Sequence, residues 1–259
     1  MHRESRPVVR IEPKDAPQPF SDHGERIYAM MVTGKTPERA ELARASVVSF
    51  LAQTYANRVL VVVNDGPFEL DVAGVPAGRV IQVRPEGRPR LGELRNVGLD
   101  AIPDGAIWTY WDDDDWHHPR LMVAQHRVLG ALAVQACFLV NQVKCRLRGE
   151  TAFVDHHPGG FAGTLMAYKD GGLRFPNWRK NEDSAYTTSV KQKLRWYPWA
   201  NPPHYFVRFF HGANTWDEGH FRLLERGAEW QLPPRSAAYL RSVLAHYPPR
   251  PDGNEARTP

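Results

Sequence analysis

Four consecutive carboxylates, Asp112 to Asp115, follow directly on the apolar run Ile107–Trp111. Alternate residues of an extended chain point the same way, so Asp112 and Asp114 converge while Asp113 and Asp115 turn elsewhere. Two converging carboxylates, with water and phosphate oxygens, suit a hard divalent ion, Mg2+ or Mn2+. The bland alternative is a solvated acidic loop ahead of a helix, but mutual repulsion makes such a run costly. The flanking Trp111 and Trp116 are also not residues a solvated loop needs. A second pair, Glu182-Asp183, opens a helical stretch within a basic, aromatic segment holding Lys169, Arg174, Phe175, Trp178, Arg179 and Lys180. Acids favour a helix start through the dipole, yet a carboxylate there can also take the proton of an attacking hydroxyl. The loop Gly159-Gly160-Phe161-Ala162-Gly163 reads either as a plain turn or as a floor that lets a bulky substrate approach the backbone.

The elements around these residues alternate as in an α/β domain. A short apolar strand over 26–32 is followed by Thr36-Pro37-Glu38, an N-cap, a helix-starting proline and an early acid. The spacing of Ala40, Ala43, Val47, Phe50 and Leu51 predicts a helix to about Gln53. The run 58–63 is almost wholly apolar, as in a parallel strand buried on both faces. Strands over 80–83 and 107–111 and helices over 91–101 and 119–132 complete the first half. The second half is less regular: a β pair over 136–147 and 151–154, further strands over 164–168 and 205–210, and a helix over 182–190. Residues 1–25 read as a poorly ordered lead-in or a surface strap, 26–245 as one domain, and 246–259 as a tail. Within the domain, 26–118 forms a nucleotide-binding half and 119–245 an acceptor half. Ligands of open α/β sheets sit beyond the carboxyl ends of the strands, which is where Asp65 and the aspartate run fall.

Composition narrows the class. The 259 residues carry a net charge of +4, 24% charged and 42% hydrophobic residues, which excludes a disordered chain, a fibre or a coiled coil. The longest apolar stretch, over 129–140, is shorter than a membrane span, and no signal peptide opens the chain. Cytoplasmic residence is therefore expected (host cytoplasm for a phage protein). Cys137 and Cys145, on one continuous strand, would stand about 26 Å apart, too far to bridge. His117-His118 and His156-His157 match no zinc spacing and read as loop or surface histidines.

Six segments in order resemble glycosyltransferase family 2: Tyr28-Ala-Met-Met-Val-Thr-Gly with the helix ending Ser49–Tyr55, Val61-Val-Val-Asn-Asp-Gly66, Leu91–Leu99, Trp111–Trp116, Asn181-Glu182-Asp183 and His211-Gly-Ala-Asn-Thr-Trp216. The resemblance covers residues 26–217 and implies the GT-A fold, a Rossmann-like three-layer α/β/α sandwich on a mixed, mostly parallel sheet. It implies inverting transfer from a nucleoside-diphosphate sugar, a UDP-sugar above all, with Mn2+ or Mg2+. In that reading Thr33, Asp65, Arg95, Asp112 and Asp113 bind the nucleotide sugar. Asp114, with Asp112 and His211, holds the metal. Asp183 is the catalytic base beside Glu182. Gly160, Phe161 and Trp178 are read as the acceptor side. Asn64 stands where the family has the first of two aspartates. The acceptor could be a glycan, a lipid-linked sugar or a hydroxylated DNA base; the excess of cations over 169–195 would suit a phosphorylated or nucleic-acid acceptor, or an ordinary solvated face. Two other classes compete. A phosphoryl- or nucleotidyl-transferring enzyme would also use aspartates and Mg2+, but no phosphate-cradling Gly-Lys loop or dinucleotide fingerprint is present. A non-catalytic sugar-nucleotide module would have no use for both acid sets.

Overall fold

A computed structural model describes residues 20–246, apart from 35, 68, 148–150, 213, 215–217 and 227–231. The first half runs β1 (Ile27–Thr33), α1 (Pro37–Leu51), β2 (Arg58–Asn64), β3 (Val80–Val83), α2 (Leu91–Asp100) and β4 (Ile107–Tyr110). The second runs β5 (Asp115–His117), α3 (Leu121–Ala131), β6 (Ala136–Leu139), β7 (Asn141–Arg146), β8 (Ala152–His156), β9 (Met166–Tyr168), α4 (Glu182–Lys193), β10 (Trp196–Trp199), β11 (Phe206–Phe210), α5 (Glu218–Arg226) and α6 (Pro234–Leu244).

Seven strands form the central sheet in the order β10-β6-β9-β4-β1-β2-β3. All its pairings are parallel except those of β9, which is antiparallel to β4 and β6. The expected mixed, mostly parallel sheet with helices on both faces is what forms. Alternation along β1 and β2 explains the layers. Ile27, Ala29, Met31, Leu60 and Val62 pack with α1 and α3 residues such as Phe50 and Met122. Tyr28, Met30, Val59 and Val61 pack on the other face with Leu99 of α2 and Tyr186 and Val190 of α4. Thr36 caps α1 as its sequence predicts, its hydroxyl accepting the Arg39 N–H. At the other end of α1, Arg58 of β2 donates to the carbonyls of Phe50 and Leu51, groups the helix leaves open, and to that of Tyr55 beyond it. Phe20 covers that guanidinium at 4.2 Å, while 1–19 and 247–259 fall outside the described residues.

The single strand expected over 136–147 is two strands in two sheets. β6 belongs to the central sheet, and β7 to a second sheet of order β5-β11-β7-β8. Asn201 makes the break. Its side-chain oxygen accepts the N–H groups of Val140 and Asn141, and its amide donates to the Asn141 carbonyl, 60 residues away. Cys137 and Cys145 are buried and free on either side of it. One face of the second sheet carries Trp116, Val143, Cys145, Val207 and Phe209 against α1 and α6. Strands β5 and β10 and helices α5 and α6 were not expected from the sequence. No described helix is long and apolar enough to cross a membrane.

His117 is not a surface histidine. It stacks on Trp111 with ring centroids 3.7 Å apart, and neither ring nitrogen has a hydrogen-bond partner among the described residues. Burial drives its pKa down to about 3. A neutral buried histidine binds fewer protons folded than unfolded between pH 6.5 and 3, so stability falls as pH drops through that window. At pH 4.5 this residue alone accounts for a loss of about 2–3 kcal/mol. His117→Phe keeps the stack, and urea unfolding at pH 7.5 and 4.5 should show a smaller acid loss than wild type. An unchanged loss would assign the acid sensitivity elsewhere.

Candidate active site

The carboxyl ends of β1, β2 and β4 meet where β1 stands between β2 and β4, the crevice at which a chain reversing direction across a sheet leaves room for a ligand. Thr33 ends β1, and its carbonyl accepts the Asp65 N–H at 2.8 Å. Asn64 is buried and its side-chain oxygen accepts the Gly66 N–H, so it shapes the turn that presents Asp65. Gly66 has no alternative here: a Cβ would fall 1.2 Å from the Gly34 carbonyl oxygen.

The aspartate run is not the extended segment expected: Asp113 and Asp114 lie in a turn and share Arg39, while Asp112 turns to Arg95. Asp113 and Asp115 are sealed, while Asp112 and Asp114 keep partial exposure. Asp112 Oδ1 accepts from Arg95 Nη2 at 3.2 Å, and Arg95 Nε donates to Glu182 Oε1 at 3.1 Å. The buried guanidinium lies 4.7 Å from the centre of the Tyr110 ring. Burial opposes its charge, but Asp112, then Tyr110, Glu182 and Asp183, outweigh it and raise its pKa. Arg95 Nη1 and the Tyr110 hydroxyl have no partner among the described residues. One arginine of α2 thus ties the acid run after β4 to the first turn of α4.

Asp114 is held differently. Arg39 Nη1 donates to its Oδ2 at 2.8 Å, His211 Nε2 lies 3.1 Å from that oxygen, and the Asn214 amide is 3.5 Å away. Burial would favour the neutral acid, but Arg39 and then His211 hold the carboxyl well below the usual range. Arg39 also makes a bidentate pair with Asp113. Burial, against Arg39, pushes Asp113 upward, and burial with Asp114 does the same for Asp115.

Asp183 sits in the first turn of α4, after Asn181 in the left-handed region (φ 63°). Its Oδ1 accepts the Ser184 N–H at 2.7 Å, and it is partly exposed. Loop 159–163 runs beside the acid run: a Cβ on Gly163 would lie 3.7 Å from Asp112 Oδ2.

The geometry revises several expected roles. Asp113, with 0% exposure and both oxygens on Arg39, has no face for a nucleotide; it anchors Arg39. Glu182 is sealed against Arg95 and positions it rather than meeting a substrate. Gly160 is required because its φ is +78° and a Cβ would meet Phe138 at 2.3 Å, a packing reason, not an acceptor contact. Trp178 is 50% exposed, but its described contact is with the start of α2, where its carbonyl accepts the Gly92 N–H.

Three residues escaped the sequence reading. Arg39 had a signal: a cation in the first turn of a helix opposes the dipole and needs an acidic partner. Arg208 is the one charge in the strand Phe206–Phe210, and it lies within electrostatic reach of Asp115, Asp114, Asp112 and Asp183. Asn214 was inside a quoted segment without a role.

Donors for a divalent ion are present: the Asp114 carboxylate, with Asp112 nearby, is of the oxygen class that Mn2+ and Mg2+ take, and the His211 imidazole stands beside it. Among the described residues no three His, Cys, Asp or Glu side chains close a metal site by themselves. A bound diphosphate would therefore have to supply the remaining oxygens.

This sheet order, with an acidic run leaving the central strand, is the GT-A glycosyltransferase fold. Among solved structures, the chain is similar to residues 1–349 of S. aureus TarS in complex with UDP-GlcNAc, with a TM-score of 0.58 and 13% identity over 85% of this chain and 66% of that one. It is also similar to the mannosyltransferase PcManGT from Pyrobaculum calidifontis in complex with GDP-Man and Mn2+, with a TM-score of 0.55 and 16% identity over 91% of this chain and 72% of that one. Against the longer S. aureus TarS structure the TM-score is 0.56 at 13% identity, and the chain spans 37% of its length. No protein-family model and no curated protein matches the sequence.

Proposed function

We propose that this protein is a metal-dependent inverting glycosyltransferase of family 2 type, moving a sugar from a nucleoside-diphosphate sugar to an acceptor hydroxyl in the cytoplasm. The observation that carries the reading is Arg95, whose guanidinium joins Asp112 of the donor half to Glu182, next to Asp183, in the acceptor half. Random surface acids are not wired together through a buried cation; a bond-forming centre needs that registration.

Thr33 and Asp65 would line the nucleotide, with Asp112 nearer the ribose. Asp114 and His211 would hold the Mn2+ or Mg2+. When bound, that ion neutralises charge on the departing nucleoside diphosphate. Arg39 keeps Asp114 ionised and oriented before any ligand arrives. Asp183 takes the proton from the acceptor hydroxyl, its Oδ1 held by the Ser184 N–H. The hydroxyl attacks the anomeric carbon from the face opposite the leaving group, which inverts that centre. The acceptor remains a glycan, a lipid-linked sugar or a hydroxylated base in this reading, and UDP is the first nucleotide to try.

A thermal-shift panel of nucleoside diphosphates tests the donor half of the reading. One nucleotide should raise Tm with Mn2+, and the rise should vanish in Asp114→Asn. Ligand at a hundred times its Kd adds about 2.7 kcal/mol. A panel without any metal-dependent shift overturns the donor reading.

A further inference from the structure

The polar face of the second sheet holds a cavity that none of the roles above uses. It measures about 100 Å³ and is lined by Lys144, Arg208, Phe210, Asn214, His220 and Phe221, between β7, β11 and α5. By water's share of liquid volume it holds about three waters, room for a compact oxyanion.

Its charge is unusual for a sheet. Arg208 and Lys144 are direct partners in the parallel pairing of β11 with β7, so two cations stand side by side on one face. Like charges in that position destabilise a sheet unless something offsets them. Lys144 has Asp155 at 2.5 Å. Arg208 faces Asp115 across the antiparallel pairing with β5, with no side-chain hydrogen bond between them among the described residues. Among the described residues the Arg208 guanidinium donates no hydrogen bond, although strongly charged donors are costly to leave without one. The two cations line the cavity beside the Asn214 amide and the His220 ring.

The cavity adjoins the reaction centre. Asn214, in its wall, reaches Asp114, and Lys144 Nζ lies 5.9 Å from the centre of the Phe161 ring in the loop beside Asp112. Asp183 is among the acids that act on Arg208. An anion seated here would lie next to the acid run.

We infer that this cavity is a subsite for a phosphate group carried by the acceptor. The inference rests on the glycosyltransferase reading only for the word acceptor. A phosphate fits better than a carboxylate because its oxygens can meet Lys144, Arg208 and the Asn214 amide together, and such charge-assisted bonds are the strong ones.

The test is a titration of the full chain with glycerol 3-phosphate, followed by calorimetry, with glycerol as the neutral control. It is run with and without the nucleotide selected by the thermal-shift panel. Saturable binding that persists with nucleotide present is expected, with none for glycerol. Lys144→Met and Arg208→Gln should each weaken it roughly tenfold, a loss of about one charge-assisted contact. Asp155→Asn, which removes the competing carboxylate, should tighten it, and Arg222→Gln on the exposed side of α5 should leave it unchanged. Asp155→Asn carries the test if Lys144→Met does not fold. Absence of binding to the wild type, displacement by nucleotide, or indifference to all three cavity substitutions overturns the subsite. A failed nucleotide panel with intact phosphate binding would instead overturn the donor reading and leave the subsite standing.

Discussion

Asp183→Asn should abolish transfer while leaving donor binding intact. General-base catalysis by a positioned carboxylate contributes roughly a factor of 10² to 10⁴ in rate, and the amide has no basic oxygen to receive the proton. The fold should tolerate the change, because the amide oxygen can still accept the Ser184 N–H that orients the wild-type side chain. The measurement is kcat for transfer beside the metal-dependent shift in Tm caused by the nucleotide. A lost rate with an unchanged shift is the expected split, since the base acts only as the new bond forms. A variant that keeps its rate would remove Asp183 from the reaction. A variant that loses the nucleotide shift would make it a donor-binding residue.

Arg95→Met should cost stability and activity together. The guanidinium is buried and serves two acids, Asp112 and Glu182. Removing one partner of a buried ion pair costs about 3–5 kcal/mol, because the remaining charge has lost its compensation. The loss should be read from urea unfolding. Glu182 itself is shifted upward by burial, with Arg95 opposing, so in the variant it should take up a proton and soften the loss. Adding Glu182→Gln to Arg95→Met should therefore recover part of the stability but none of the activity. The tie between the acid run and the helix bearing Asp183 is still cut in the double variant. Equal recovery of both would reduce Arg95 to a structural residue.

Much of this protein was legible before its coordinates. The parallel strands announced themselves by apolar runs such as 58–63, because a strand covered on both faces has no polar side to show. The start of α1 was readable from Thr36-Pro37, where local chemistry alone satisfies the helix end. Burial does separate Asp113 and Asp115 from Asp112 and Asp114, but through a turn at Asp113-Asp114 that brings both onto Arg39, which strand geometry does not predict. The second half was harder. Residues 136–147 read as one strand because nothing local breaks them; the break is imposed by the Asn201 side chain from 60 residues away.

The residue types at the candidate site, and their positions at strand ends and a helix start, were therefore determined by the sequence, since period and capping are local properties. Only the tertiary structure decided which charges meet. It gave Asp113 and Asp114 to Arg39, joined Asp112 to Glu182 through Arg95, and set Lys144 beside Arg208. Those pairings depend on distance in space, and contacts such as Arg39–Asp113 or Arg95–Glu182, far apart in sequence, leave no periodic trace along the chain.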